Sequence, residues 1–124
     1  MPKPRILVVE DEPMIRELIV DTLTDAGYDV EQAETADSAA KLLEADGYQL
    51  LVTDVHTPGR LNGLHLAELA RDHDPTLPVI VVTGRPDVVH RLRHAQITGT
   101  LLPKPFALAE LVRIAARYVS PAPV

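Results

Sequence analysis

The chain has no cysteine and no tryptophan, with one phenylalanine and three tyrosines. Without thiols there is no disulfide, no cysteine nucleophile and no thiolate-bound metal. With aromatics at 3 %, a packed interior has to be built from Val, Leu, Ile and Ala. No apolar run approaches the roughly 20 residues that cross a bilayer. Met1-Pro2-Lys3-Pro4-Arg5 leads directly into a first strand, without the apolar segment of a signal peptide. Excess positive charge is also missing: 18 Asp and Glu stand against 12 Lys and Arg, a formal net charge of −6. A basic stripe for nucleic-acid phosphates is therefore not expected, and neither nucleic acid nor a membrane is an expected partner. These absences favour a cytoplasmic protein.

What is present fits one domain. A length of 124 residues lies near the commonest domain size. At 46 % apolar and 24 % charged residues, the composition is that of an ordinary globular chain. One domain over residues 1–124 is expected, with a core of about 5–119 and flexible tails at 1–4 and 120–124.

Short aliphatic runs alternate with segments of helical period. Ile6-Leu7-Val8-Val9 reads as a first strand, followed by Glu10-Asp11-Glu12 and by Pro13 at a first helical position. Ile15, Leu18, Ile19, Thr22 and Leu23 share one helical face, and Gly27 marks a stop. Tyr28 to Glu34 is a weaker strand, and Ala36, Ala39, Ala40 and Leu43 mark a second helix. Gln49 to Thr53 is a third strand closing on Asp54, and Leu66, Leu69 and Ala70 carry a third helix. Val79 to Thr83 is a fourth strand, and Val88, Val89, Leu92 and Ala95 indicate a fourth helix. Thr100-Leu101-Leu102 is a short fifth strand, and Leu108, Leu111, Val112, Ala115 and Val119 give a fifth helix.

Five β-α units predict an α/β fold: a doubly wound five-stranded parallel sheet with helices on both faces. Strands 1, 3 and 4 are continuous aliphatic runs, as burial on both faces demands. Strands 2 and 5 are weaker, and Pro103 is best tolerated at an edge. The order 2-1-3-4-5 of the flavodoxin-like (βα)5 fold follows. Its connections reverse between strands 1 and 3, which places a site at their carboxyl ends.

That order gathers Glu10 and Asp11 after strand 1, Asp54 after strand 3, Thr83 at the end of strand 4 and Lys104 after strand 5. Three neighbouring carboxylates repel one another unless a cation neutralises them. Mg²⁺ suits such a site, because it takes a few carboxylates, keeps waters and shares phosphate oxygens. Lys104 adds a charge and Thr83 a hydroxyl for phosphoryl oxygens. A carboxylate is itself a competent nucleophile for an aspartyl-phosphate, and Asp54 lies between the metal side and the Lys/Thr side.

The segments Val8-Val9-Glu10-Asp11-Glu12-Pro13, Leu51-Val52-Thr53-Asp54, Pro58-Gly59 with Gly63, Val81-Val82-Thr83-Gly84 and Lys104-Pro105-Phe106 span nearly the whole chain. In order and spacing they resemble the receiver domain of two-component response regulators, including the single-domain chemotaxis type. The resemblance implies that Asp54 is the phospho-acceptor and that Asp11 ligates Mg²⁺ directly, with Glu10 acting largely through water. It implies a further ligand in the His56 backbone carbonyl, phosphoryl contacts from Thr83 and Lys104, and a cis peptide at Lys104-Pro105. It implies a module that catalyses only its own phosphorylation and dephosphorylation, not a turnover enzyme. Its partners would be a sensor histidine kinase or phosphotransfer protein and a downstream protein target. A homodimer would use the face of the fourth helix, fifth strand and fifth helix.

Three departures bear on signalling. Leu101 occupies a position where the family usually has Tyr or Phe. The loop after Asp54 runs one residue long, with Thr57 where Met is frequent, and the stretch from Thr83 to Lys104 is about one residue short. Two other functions compete: a phosphate-independent interaction module of the same fold, and an aspartyl-phosphate phosphatase. The second lacks the second Asp of an Asp-x-Asp motif, since Asp54-Val55-His56-Thr57 stands there. His90 and His94 have helical metal spacing without an HExxH pattern. With Arg91 and Arg93 they read as a solvated or partner-binding face.

Overall fold

A computed structural model describes residues 2–45, 47–55, 62–84 and 99–123. The strands are β1 (Arg5–Val9), β2 (Asp29–Ala33), β3 (Leu50–Asp54), β4 (Val79–Thr83) and β5 (Gly99–Pro103). The helices are α1 (Pro13–Asp25), α2 (Ala36–Leu43), α3 (Gly63–His73) and a C-terminal helix (Leu108–Tyr118). All strands pair in parallel, in the order β2-β1-β3-β4-β5.

The aliphatic runs take the centre because only there are both faces of a strand covered. β3 and β4 are buried throughout, and β1 is buried from Ile6 onward. β2, with sequence Asp-Val-Glu-Gln-Ala, buries only Ala33 and forms one edge. β5 forms the other, with Pro103 at its end paired with Thr83.

Side chains alternate across the sheet, giving two cores. Leu7, Val9, Leu51, Val79 and Val81 pack with α2 and α3 residues such as Leu43, Leu66 and Ala70. Ile6, Val8, Leu50, Val52, Ile80 and Val82 pack with Ile19 and Leu23 of α1 and with Leu111 and Ile114 of the C-terminal helix. Each fully buried aliphatic side chain is worth about 1.5–3 kcal/mol.

Local chemistry sets the helix starts. Pro13 opens α1. Thr35 caps α2 by accepting from the Ser38 N–H at 3.1 Å. Asn62 caps α3, accepting from the N–H groups of Leu64 and His65 at 2.9 and 3.0 Å. Two leucines assigned by period to buried faces are exposed, Leu18 of α1 and Leu69 of α3. The sheet covers only the stripes through Ile19 and Leu23 and through Leu66, Ala67 and Ala70.

Past the C-terminal helix the chain meets the turn between α1 and β2. The Tyr28 hydroxyl donates to the Val119 carbonyl at 2.6 Å, and the Ala122 N–H donates to the Gly27 carbonyl at 3.1 Å. Gly27, at φ +110°, leaves room for that approach: a Cβ there would lie 2.5 Å from the Ala122 carbonyl oxygen. The expected fourth helix, with His90, Arg91, Arg93 and His94, lies outside the described residues, as do His56, Thr57, Pro58 and Gly59. So does part of the expected dimer face.

Candidate functional site

The parallel pairing brings the ends of β1, β3 and β4 to one edge. Val9 pairs with Thr53, and Asp54 pairs with Val82, so Glu10, Asp54 and Thr83 follow one another across the sheet. Glu10, Asp54 and Thr83 are all buried, Glu10 at 2 % and Asp54 at 6 % exposure, whereas Asp11 is exposed. Carboxylate oxygens of Glu10, Asp11 and Asp54 lie within 4.8 Å of one another.

Lys104 answers this charge. Its ammonium donates to Asp54 Oδ2 at 2.8 Å and to Glu10 Oε1 at 3.5 Å. The lysine is placed by the ladder itself, since its backbone N–H donates to the Thr83 carbonyl at 2.8 Å. The Lys104-Pro105 peptide bond is cis. Thr83 therefore stands at the same edge, one residue past the strand partner of Asp54.

The electrostatics follow the burial. Desolvation, a side-chain hydrogen bond with Asp11 and the negative charge of Asp54 push Glu10 up to about 7, while the Glu12 N–H and Lys104 pull the other way. For Lys104, burial acts to lower the pKa, but the hydrogen bonds and charges of Asp54 and Glu10 outweigh it and leave the ammonium raised. The other Glu10 oxygen accepts from the Glu12 N–H at 3.3 Å, folding the carboxylate back over its own turn.

The backbone at Asp54 is equally constrained. The Thr53 hydroxyl donates to the Asp54 carbonyl at 3.0 Å, and the Gly63 N–H donates to the Val55 carbonyl at 2.9 Å. A Cβ on Gly63 would sit 2.0 Å from the Asp54 carbonyl oxygen, so only glycine lets α3 start this close to the strand. Leu101, paired with Val81, is half-buried against the core cluster that contains Val55 and Leu64.

The donor set suits a hard divalent cation. Three oxygen donors converge, one of them is held by burial near the neutral range, and an ammonium already compensates part of their charge. Glu10, Asp11 and Asp54 are the residues that would hold Mg²⁺, in a cluster typical of receiver-domain Mg²⁺ sites. The His56 carbonyl, the remaining expected ligand, lies outside the described residues.

Sequence reading does not single out Arg16, because an arginine in the second turn of an amphipathic helix looks like a solvated charge. In the structure its guanidinium donates to the Glu10 carbonyl at 2.9 Å and to Gln32 Oε1 at 3.0 Å. The only sequence signal is its spacing, six residues after the buried Glu10.

A family model described as the response regulator receiver domain matches residues 6–116. The response regulator MprA of Mycolicibacterium vanbaalenii is 38 % identical over 109 residues, covering 87 % of this chain and 47 % of the relative. MprA of Mycobacterium tuberculosis aligns with the same identity and coverage. The chain thus spans about half the length of the curated relatives it matches. Among solved structures, chemotaxis protein CheY4 of Vibrio cholerae superposes with a TM-score of 0.83 at 26 % identity, covering 94 % of this chain and 98 % of that one. Response regulator TrrA of Thermotoga maritima, solved in complex with Mg²⁺ and BeF, gives a TM-score of 0.84 at 31 % identity, covering 94 % and 99 %.

Proposed function

The chain belongs to the response regulator receiver domain family, and we propose that it is the phospho-accepting module of a two-component signalling system, with Asp54 as the acceptor. Receiver domains of this family phosphorylate and dephosphorylate themselves and do not turn over an external substrate. The observation that carries the proposal is the Lys104–Asp54 contact at 2.8 Å, beside a second buried carboxylate and an exposed third.

In the proposed reaction an Asp54 carboxylate oxygen bonds to phosphorus as the bond from phosphorus to the donor's imidazole nitrogen breaks. In this reading Lys104 follows charge from the carboxylate onto a phosphoryl oxygen, and the Thr83 hydroxyl donates to another; the Lys104–Asp54 contact supports the first of these roles. Bound Mg²⁺ would neutralise charge on the transferring group. Burial of Asp54 and Glu10 strengthens these electrostatic contacts relative to water.

The donor is a histidine kinase or a phosphotransfer protein, and the output is a protein-binding surface whose population shifts on phosphorylation. Leu101, half-buried against the core, stands where the family commonly has a ring, so a ring rotation does not carry the signal in this chain. A cytoplasmic location belongs to the same proposal. Among the described residues no helix is long and apolar enough to cross a membrane.

Incubation with acetyl phosphate and Mg²⁺ is expected to add one phosphoryl group by intact mass, and Asp54→Asn to abolish the gain. Beryllofluoride with Mg²⁺, the combination bound by TrrA, is expected to bind the wild type and not the variant. No modification with any donor, together with no Mg²⁺ binding, would leave the phosphate-independent interaction module as the reading.

A further inference from the structure

Asp11 is the exposed carboxylate of the three and belongs to no strand; it lies in the turn between β1 and α1. The carbonyls on either side of it both end on one residue. The Arg16 backbone N–H takes the Glu12 carbonyl at 2.9 Å, and the Arg16 Nη1 takes the Glu10 carbonyl at 2.9 Å. The rest of the guanidinium reaches the neighbouring strand. Nε donates to Gln32 Oε1 at 3.0 Å, and Nη2 lies 3.6 Å from Glu34 Oε1. The side chain is only 13 % exposed, so this fork is held by its surroundings rather than waving in water.

We propose that Arg16 is a positioning residue for the cation site, tying the β1–α1 turn to the end of β2 so that the Glu10 and Asp11 carboxylates are set in place before a divalent cation arrives. Glu10 then has every part of its backbone and side chain held. Its N–H donates to the Ala33 carbonyl at 3.1 Å, its carbonyl accepts from Arg16, and its carboxylate meets the Glu12 N–H and Lys104. The planar fork matters because one ammonium cannot satisfy three acceptors in these directions. Outer residues that orient metal ligands commonly change affinity by about 10–100-fold when removed.

The sign of the effect separates this role from the alternatives. As a bare positive charge near the site, Arg16 would repel a cation, so its removal would tighten Mg²⁺ binding. As a merely structural residue, its loss would lower the melting temperature and leave the affinity of the folded chain unchanged. Only the positioning role makes removal weaken binding in protein that is still folded.

The proposal rests on Glu10, Asp11 and Asp54 being the cation site, and the test separates the two. Mg²⁺ titration by calorimetry is run on wild type, Arg16→Met and Arg16→Lys, with melting temperatures read on the same samples. Methionine keeps the aliphatic stem, and lysine keeps the charge but gathers its donors on one nitrogen, without the planar fork. Arg16→Met is expected to bind Mg²⁺ roughly tenfold more weakly, with Arg16→Lys in between. Affinity equal to or tighter than wild type in either folded variant overturns the proposal while leaving the cation site standing. A loss that only tracks the unfolded fraction overturns it too. A wild-type chain that takes up no Mg²⁺ overturns the cation site itself, and the proposal with it.

Discussion

The two ends of the sheet carry the same kinds of charged side chain in opposite circumstances. At the carboxyl end, Lys104 meets Asp54 and Glu10 at 2.8 and 3.5 Å, and both carboxylates are buried. At the amino end, Arg5 meets Asp29 and Glu31 at 3.6 and 4.0 Å, with all three side chains 40 % exposed or more. Water screens the second set and gives it little to contribute. The first set cannot rely on water, so each charge there is held by protein groups and by whatever cation or phosphoryl group enters. Burial, rather than the identity of the residues, makes one end a reactive site and the other a surface.

The largest effect should come from disturbing the backbone under the buried set. Gly63→Ala places a methyl group 2.0 Å from the Asp54 carbonyl oxygen and 2.8 Å from the Val55 Cα. Both neighbours are backbone, so the strand end or the start of α3 has to move. A loss of about 3 kcal/mol in unfolding free energy is expected, read by urea denaturation, together with slower phosphoryl uptake because Asp54 itself is displaced. Near-wild-type stability would mean that the end of β3 is softer than its contacts imply.

Next in size is Lys104→Met. Without the ammonium, Asp54 and Glu10 lose the positive charge that offsets theirs in a buried setting, and such a loss commonly costs several kcal/mol. Because the lysine is itself partly exposed, about 1–2 kcal/mol is expected in the metal-free chain. Saturating Mg²⁺ should narrow that gap, and the Mg²⁺ affinity should rise, since a competing cation has been removed. Calorimetric Mg²⁺ titration and thermal melts with and without the metal check both statements. Phosphoryl uptake should nevertheless fall, because the lysine's contact with the transferring group is lost.

Much of this arrangement is legible in the sequence, for physical reasons. Runs such as Val79 to Val82 can only be strands covered on both sides, and the polar pattern of Asp29 to Gln32 can only be an edge. Once the order of strands is set, Glu10, Asp54 and Lys104 must meet. Helical period does not say how wide a stripe the sheet will cover, which is why Leu18 and Leu69 are exposed. Arg16, and the close approach to Asp54 that makes Gly63 necessary, escape for a related reason. Their importance lies in contacts with carbonyls six and nine residues away along the chain, and no local pattern encodes those. The raised pKa of Glu10 likewise depends on the burial that the finished fold imposes.

That pKa gives the comparison a pH axis. Glu10 is pushed from an ordinary 4.5 up to about 7, so the folded state holds its proton more tightly than the unfolded state does. The metal-free chain should therefore lose stability as pH rises from about 4.5 to about 7 and level off above. Subtracting the same profile for Glu10→Gln isolates the contribution. Mg²⁺ requires the ionised carboxylate, so its affinity should increase across the same window. A flat difference profile would place Glu10 in water, as solvated as the acids around Arg5.

The smallest effect tests the amino end. Arg5 stacks 4.7 Å from the centre of the Tyr48 ring as well as facing Asp29 and Glu31. Arg5→Met keeps the stem that covers the ring and removes only the charge. The expected loss is below about 1 kcal/mol, and it should shrink further at high salt, because the exposed pairs are screened there. The lysine at the other end should show much weaker salt dependence, since its partners are buried. If Arg5→Met matched Lys104→Met in size and in salt response, burial would not be what distinguishes the two ends. The convergence of carboxylates on Lys104 would then have to be explained by geometry alone.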